Sequence, residues 1–214
     1  MRINKFISHN TNYSRREADE LLKAGKVSIN GRVVSDLSTE VKDSDKVRIG
    51  SRLIKLKKEF SMIVYNKQKG ELVTKKDDRG RKTIYDTLPR GFSKFISVGR
   101  LDYASEGLLL LTDAPAIAQA LMNSDIEREY YLKIKGEITE QVINAMREGF
   151  FAKDATKGAH AKTKQISMEF KPFLAYKIIS QSGGYTRLKV IINEGQNREL
   201  RRFFGYFCKT YQGS

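Results

Sequence analysis

Apolar residues near the N terminus recur at helical spacing and predict two short helices, over about residues 3–9 and 15–24. A capping box begins the second helix, because the Ser14 hydroxyl can accept from a free helix N–H while the Glu17 carboxylate reaches back. Gly25 is placed to end that helix in a left-handed conformation. The chain is therefore expected to begin with two consecutive helices.

The pattern then changes to the short β-prone runs that are typical of strands. Asn30-Gly31 separates two such triplets, which is a strong short-range signal for a β-hairpin over residues 27–34. A further strand is expected over residues 46–49, and a basic connector follows at residues 52–58. We therefore predict a first domain of helices plus a small sheet, formed by residues 1–58.

Residues 59–214 are predicted to form a second domain in which strands and helices alternate. Strands are expected at residues 61–66, 95–98, 129–135, 166–170, 176–180 and 186–192. Helices are expected at residues 83–88, 115–123, 139–149 and 197–207. The chain is therefore predicted to have an α+β fold, in which the second domain contains a mixed, mostly antiparallel sheet flanked by helices.

A stretch at the middle of the chain combines a polar loop with a strong strand signal. Gly99-Arg100-Leu101-Asp102 precedes a run of four leucines at residues 108–111. The run is short enough to be one strand buried on both faces. Such a strand is a rigid support for a reactive carboxylate, which we assign to Asp102. Asp113, two residues before Pro115, is expected to cap the following helix.

Further candidate residues lie on the later elements. Alternation over residues 129–135 turns Tyr130 inward, together with the apolar residues that follow it. In the last helix, at ~100° per residue, Arg198 and Arg202 fall opposite the apolar stripe, on the solvent side. Arg201 falls at the edge of the stripe, where an arginine can reach a half-buried carboxylate.

The chain is strongly basic. It carries 40 Lys and Arg against 25 Asp and Glu, a formal net charge of +15, which points to a polyanionic partner. Nucleic acid is the first choice. An acidic membrane surface is the alternative, but no segment approaches the ~20 apolar residues that span a bilayer. Cationic residues are frequent in the early part of the chain: Arg2, Lys5, Arg15, Arg16, Lys23, Lys26 and Arg32.

Cysteine and histidine are scarce. Cys208 is the only cysteine, which excludes an internal disulfide and fits a reducing compartment. His9 and His160 are far apart in the sequence, so a Cys/His metal site is not expected. The basic N terminus is not followed by an apolar segment, so no signal peptide is expected either. We therefore expect a cytoplasmic protein without a metal, and a basic loop at residues 152–164 that contacts RNA.

The first domain resembles a known RNA-binding module. Ser14-Arg15-Arg16-Glu17-Ala18, the segment from Ala24 to Val34, and Asp45-Lys46-Val47 are similar to the S4 RNA-binding domain. The similarity extends over nearly all of residues 1–50. It implies that the helical face and the hairpin bind structured RNA.

Three ordered motifs of the second domain resemble those of the pseudouridine synthases, in the branch named for RsuA. They are Gly99-Arg100-Leu101-Asp102 with residues 105–112, then Arg128-Glu129-Tyr130, and then residues 194–202. An S4 domain ahead of the catalytic domain is also the layout of that branch. The resemblance implies that Asp102 is the catalytic carboxylate, that Tyr130 stacks on the target uracil, and that Arg201 pairs with Asp102. It further implies that Arg100 lies beside the flipped nucleotide.

The resemblance also implies an activity and a partner. The expected reaction converts one uridine of ribosomal RNA, in the large subunit, to pseudouridine without a cofactor. The substrate is expected to be a structured stem-loop and the enzyme a monomer. Arg100, Arg198 and Arg202, together with the cations of the first domain, are expected to bind this RNA. Two mechanisms stay open, since the carboxylate could attack the sugar or take a proton from it.

The sequence departs from the branch pattern in its third motif and at its end. Glu199 stands where the branch usually has glutamine, and Gln196 where it usually has a basic residue. Branch members continue past the final helix, whereas this sequence stops at Ser214, so a shortened catalytic domain is expected. The alternative hypothesis is therefore a ribosomal RNA-binding or assembly protein that has lost catalysis.

Overall fold

The computed structural model describes residues 1–207 and the strand at residues 211–213, so Cys208 lies outside the described residues. The chain begins with two helices, α1 (Ile3–Asn10) and α2 (Arg15–Lys23), as predicted. Four antiparallel strands follow in the sheet order β2-β1-β3-β4. They are β1 (Val27–Ile29), β2 (Arg32–Val33), β3 (Val47–Ile49) and β4 (Arg52–Leu53). The helices and the sheet enclose a small apolar core of their own.

Local signals in the sequence account for this first module. The Glu17 N–H donates to Ser14 Oγ (3.2 Å) and the Ser14 N–H to Glu17 Oε2 (2.6 Å), so the predicted capping box forms. Asn30 and Gly31 have φ angles of 51° and 85°, the left-handed values that a tight hairpin turn requires. The connector predicted to begin at Arg52 begins later, because β4 pairs with β3.

A three-stranded antiparallel sheet opens the second region. Its strands are β5 (Met62–Lys67), β6 (Ile96–Ser97) and β7 (Gly107–Thr112), in the order β5-β7-β6. Helix α3 (Ile84–Thr87) and a 3₁₀ turn (Arg90–Phe92) lie between β5 and β6, and helix α4 (Pro115–Met122) follows β7. The loop from β6 to β7 carries Asp102, so this sheet supports the candidate carboxylate.

Two predictions about this sheet are wrong. The leucine strand is buried on one face, since Leu109 and Leu111 are 3% and 0% exposed but Leu108 is 70% exposed. Pairing with β5 and β6 is antiparallel, and an antiparallel strand can leave alternate residues in water. Asp113 does not cap α4, whose N-cap residue is Ala114. Its carboxylate instead accepts from the Ser61 N–H at 2.8 Å.

The larger sheet of the second region has the order β11-β12-β8-β13 and is antiparallel throughout. Its strands are β8 (Arg128–Lys135), β11 (Ala175–Ser182), β12 (Tyr185–Ile192) and β13 (Tyr211–Gly213). Helices α5 (Glu140–Glu148) and α6 (Glu199–Tyr206) share its main apolar core. A separate two-stranded sheet joins β9 (Phe150–Ala152) to β10 (Met168–Phe170), and the sequence pattern did not indicate β9. The predicted α+β fold with mostly antiparallel pairing is confirmed.

Lys57 links the first module to the second region. Its backbone N–H donates to Asn10 Oδ1 (2.9 Å) and its ammonium pairs with the Asp113 carboxylate (2.7 Å). The boundary between residues 58 and 59 stays a prediction; it falls between β4 and β5, outside both elements. Among the described residues, no helix is both long enough and apolar enough to cross a membrane.

Candidate active site

A buried lysine holds the loop that carries Asp102. Lys67, at the end of β5, is 0% exposed, and its ammonium donates to the backbone carbonyls of Gln68 (3.0 Å), Asp102 (3.0 Å) and Ser105 (2.6 Å). The Ser105 N–H also donates to the Asp102 carbonyl at 3.0 Å, which closes a turn. Burial lowers the pKa of the Lys67 ammonium, and nearby carboxylates partly offset this. The backbone of Asp102 is therefore fixed by a charged group.

Two arginines flank the Asp102 carboxylate. Arg201 Nε lies 2.5 Å from Oδ2, and Arg198 Nε lies 3.2 Å from Oδ1. The side chains of all three residues are between 23% and 32% exposed, so the cluster is partly desolvated yet open to a ligand. The arrangement presents an anionic oxygen atom at the surface of a cleft.

The N terminus of α6 brings both arginines to the carboxylate. Arg198 is the N-cap residue of α6 and has left-handed backbone angles (φ 52°, ψ 33°), which are uncommon for a residue with a side chain. Its Nη1 donates to the Ala159 carbonyl at 3.2 Å. The loop that contains Ala159 packs directly on α6, since a Cβ on Gly158 would lie 2.3 Å from the Arg201 carbonyl oxygen. Helix, loop and carboxylate therefore meet at Arg198.

Tyr130 lines the cleft from β8. It lies on the same face as Leu132 and Ile134 and packs against the main core, in agreement with its predicted inward direction. Burial raises the pKa of the Tyr130 hydroxyl, so the ring stays neutral at physiological pH. Glu199, only 6% exposed, lines the same cleft, and its carboxylate accepts from the Gln196 N–H at 2.9 Å. Burial raises the pKa of the Glu199 carboxyl group.

The cleft has a volume of about 120 Å³, and its lining is divided between charged and apolar groups. Arg100 is exposed, while apolar walls come from Leu101, Ile192 and Leu200. Within the described residues, no three His, Cys, Asp or Glu side chains gather in a way that could hold a metal ion. The cleft therefore combines a carboxylate, cations and an aromatic ring, which suits a small planar group attached to an anion.

Arg202 does not lie on the surface as predicted. It is 0% exposed, and its guanidinium donates to the backbone carbonyls of Ala155 (2.7 Å) and Gln165 (2.9 Å). Helical spacing assigned this side of α6 to solvent, but the loop at residues 153–167 covers it. The loop needs donors for its buried carbonyl groups, and Arg202 supplies them. A side chain in this position has no surface to offer to RNA, so the predicted RNA contact of Arg202 is wrong.

The predicted cations of the first module are mostly on its surface. Lys5 is half-buried in α1, and the remaining residues of the set are exposed: Arg2, Arg15, Arg16, Lys23, Lys26 and Arg32. Lys23 pairs with Glu20 at 3.1 Å, an exposed contact that contributes little to stability. These residues are available to a polyanion.

Sequence reasoning missed Lys67 and the contact between Arg198 and Asp102. A signal for Lys67 existed, because alternation along β5 places it on the inward face with Ile63 and Tyr65. The Arg198 contact has no comparable signal, since it depends on a left-handed residue just before α6 and on a partner 96 positions away.

A carboxylate held between guanidinium groups beside a half-buried tyrosine, next to a cationic module, describes an enzyme that acts on a nucleotide of RNA. Comparison with known families agrees: residues 61–206 match the RNA pseudouridylate synthase family and residues 1–47 match the S4 domain. The chain belongs to the RNA pseudouridylate synthase family and is a pseudouridine synthase with an S4 domain at its N terminus.

Individual relatives extend over nearly the whole chain. A Helicobacter pylori (strain ATCC 700392 / 26695) protein described as an uncharacterized RNA pseudouridine synthase is 52% identical over 209 residues, which cover 97% of this chain and 79% of the relative. Ribosomal large subunit pseudouridine synthase B of Bacillus subtilis (strain 168) is 32% identical over 205 residues, 95% of this chain and 79% of the relative.

A solved structure is similar in fold. The crystal structure of a pseudouridylate synthase superposes with a TM-score of 0.61 at 24% identity, and the match covers 100% of this chain and 86% of that one. At this level of identity the likeness supports the fold alone.

Proposed function

We propose that this enzyme isomerises a specific uridine of large-subunit ribosomal RNA to pseudouridine, with Asp102 as the catalytic carboxylate. The observation that carries the proposal is the ion pair of 2.5 Å between Asp102 and Arg201 at the mouth of a cleft lined by Tyr130. The ribosomal substrate is suggested by the Bacillus subtilis relative, which is named as a ribosomal large subunit pseudouridine synthase.

The chemistry requires an ionised carboxylate next to a ribose. The N1–C1′ bond of the uridine breaks, the uracil turns, and a C5–C1′ bond forms, while the C5 proton is lost and N1 gains one. Asp102 either attacks C1′ and is later displaced by C5, or it removes a sugar proton and returns it. In both routes atoms and electrons balance without a redox step, so no cofactor is required.

Arg201 keeps Asp102 ready for either role. Its guanidinium contacts the Asp102 carboxylate and restricts where the carboxylate oxygen atoms lie. The backbone of Asp102 is fixed by Lys67, which reduces the motion of the reactive oxygen atoms. Holding reacting groups in the right geometry can remove about 7–11 kcal/mol from a reaction barrier.

Tyr130 gives the target base a surface on which to stack. A base must leave its helix to reach Asp102, which costs a few kcal/mol. Stacking on an aromatic side chain recovers part of that free energy, about 1–3 kcal/mol per base. We expect Arg100, which is exposed and lines the cleft, to occupy the space that the flipped uridine leaves.

The S4 domain supplies affinity for the surrounding RNA. Its exposed cations would neutralise phosphates of a structured stem-loop, which makes the affinity fall with salt concentration. We expect a single copy of the chain to suffice, because Asp102, Tyr130, Arg198 and Arg201 all come from one chain.

The test is pseudouridine mapping in ribosomal RNA from cells that lack the gene, complemented with either the wild-type gene or Asp102→Asn. We expect one large-subunit site to lose pseudouridine on deletion and to regain it only with the wild-type gene. If no ribosomal site changes on deletion, the substrate is another RNA. Purified protein that binds the mapped RNA but forms no pseudouridine on it would favour a binding or assembly role.

A further inference from the structure

Arg198 contacts Asp102 through a long hydrogen bond. Both hydrogen bonds of Arg198, to Asp102 Oδ1 and to the Ala159 carbonyl, are 3.2 Å long, at the upper limit for a normal N–H···O bond. The structure shows no hydrogen bond from Arg198 Nη2 to another described residue. Because its bonds are long and its side chain is more exposed, 32% against 23% for Arg201, Arg198 is the arginine of the pair that can turn toward solvent more readily.

The backbone of Arg198 is held in a sparsely populated conformation. Left-handed angles in a residue with a side chain persist when surrounding contacts impose them, and they occur often at functional sites. Here the support comes from α6 itself and from the loop packed against it at Gly158. In this conformation the Arg198 side chain lines the cleft from the N-cap position of α6. Arg201 lines the same cleft from about one turn further along the helix.

Arg198 limits the enclosed volume of the cleft. Its volume of about 120 Å³ is below the ~300–1,000 Å³ of pockets that enclose small-molecule ligands. Arg198 is part of the lining, and its side chain is 32% exposed, so movement of the guanidinium toward solvent would enlarge the cleft. Arg201 has a less exposed side chain, at 23%, so the same movement is less open to it.

We propose that Arg198 is a phosphate-binding latch, which rests on Asp102 in the free enzyme and moves to a phosphodiester next to the flipped uridine when the substrate enters. Guanidinium groups bind phosphate oxygens through two parallel hydrogen bonds, and the pair is strong. The exchange frees Asp102 Oδ1 for the reaction while Arg201 stays in contact with Oδ2. This inference rests on the proposed function. It makes Arg198 a positioning residue, which moves away from Asp102 only when a phosphodiester next to the target uridine is bound.

The experiment uses stem-loops that contain the mapped uridine and are nicked on one side of it. In one pair of RNAs the uridine begins a strand with a 5′-hydroxyl or a 5′-phosphate. In the other pair it ends a strand with a 3′-hydroxyl or a 3′-phosphate. Each pair differs by one phosphate group, so the ratio of single-turnover rates measures what that phosphate contributes and on which side of the uridine it acts.

Wild-type enzyme, Arg198→Gln and Arg198→Lys are compared on all four RNAs. We expect the phosphate on one side to accelerate wild-type enzyme at least tenfold, Arg198→Gln less than twofold, and Arg198→Lys by an intermediate factor. Arg187→Gln, an exposed arginine on β12, is the matched control and should keep the wild-type ratio. Thermal melting of each variant, with binding of the intact stem-loop, separates this effect from misfolding.

An equal phosphate effect in wild-type enzyme and Arg198→Gln, on both sides of the uridine, would overturn the latch. Failure of wild-type enzyme on the intact stem-loop would instead overturn the proposed function, and the latch with it. The two failures are distinguishable, because the first needs an active wild-type enzyme and the second is seen without any variant.

Discussion

Lys67→Met tests whether the buried ammonium positions the Asp102 loop. Methionine has a similar length and suits an apolar site, but it removes three donors from the carbonyls of Gln68, Asp102 and Ser105. Hydrogen bonds to a charged group contribute about 1.5–3 kcal/mol each. The desolvation of a buried ammonium, which costs several kcal/mol, offsets a large part of that sum. The expected net loss is about 2–4 kcal/mol.

That loss should lower the melting temperature by roughly 4–16 °C for a chain of this size. The rate should fall more than stability implies, since a displacement of ~1 Å at a reacting group can cost about 100-fold. The matched control is Lys69→Met, whose side chain is 51% exposed and pairs with Glu106 at 3.1 Å. A surface pair of this kind contributes ~0–1 kcal/mol. Thermal melting and single-turnover rates are the assays. A Lys67→Met enzyme with wild-type melting and wild-type rate would refute the reasoning.

Three further variants test other parts of the site. Burial raises the pKa of Glu199 above 4.5, so folding stability falls as pH rises from 4.5 through that pKa. Glu199→Gln should therefore have a higher melting temperature than wild type at pH 8 and the same melting temperature at pH 4. A difference in melting temperature that stays constant between the two pH values would contradict this. A Cβ on Gly205 would lie 2.6 Å from the Lys157 carbonyl oxygen, so Gly205→Ala should lower the free energy of unfolding by about 1–3 kcal/mol in a denaturant titration. The control is Gly91→Ala, whose Cβ would have nothing within 4 Å and which should keep the wild-type free energy of unfolding. Tyr130→Ala should lower the single-turnover rate roughly 5–150-fold through lost stacking. Tyr130→Phe keeps the ring and should stay within a few fold of wild type, so an equal loss in both variants would contradict a stacking role.

The elements that the sequence predicted well depend on neighbours in the chain. The capping box of Ser14 and Glu17 and the Asn30-Gly31 turn involve residues at most three positions apart, so their residue types nearly determine the local conformation. The direction of Tyr130 follows from alternation along one strand. Asp102 was predicted from its sequence motif. Its contacts with Lys67, Arg198 and Arg201 involve residues far away in the sequence, and only the structure reveals them together.

The predictions that were wrong depend on distant residues. Helical spacing identifies the side of α6 on which Arg202 lies, but a loop whose carbonyl groups need donors covers that side. The four leucines of β7 look alike in sequence, and only the neighbouring strands and helices decide that Leu108 faces water. Lys67 is buried because three backbone carbonyls converge on its ammonium group. Lysine is rarely buried, so the residue type alone predicts the opposite.

The central claim is that Asp102 carries out the chemistry, and single-turnover pseudouridine formation by purified Asp102→Asn enzyme tests it most directly. Asparagine has nearly the same shape but can neither attack as an anion nor accept a proton as a carboxylate does. We predict that the variant binds the mapped ribosomal RNA fragment, melts cooperatively and forms no detectable pseudouridine, while wild-type enzyme converts the same uridine. Pseudouridine formed by the variant at a rate near that of wild type would contradict the account.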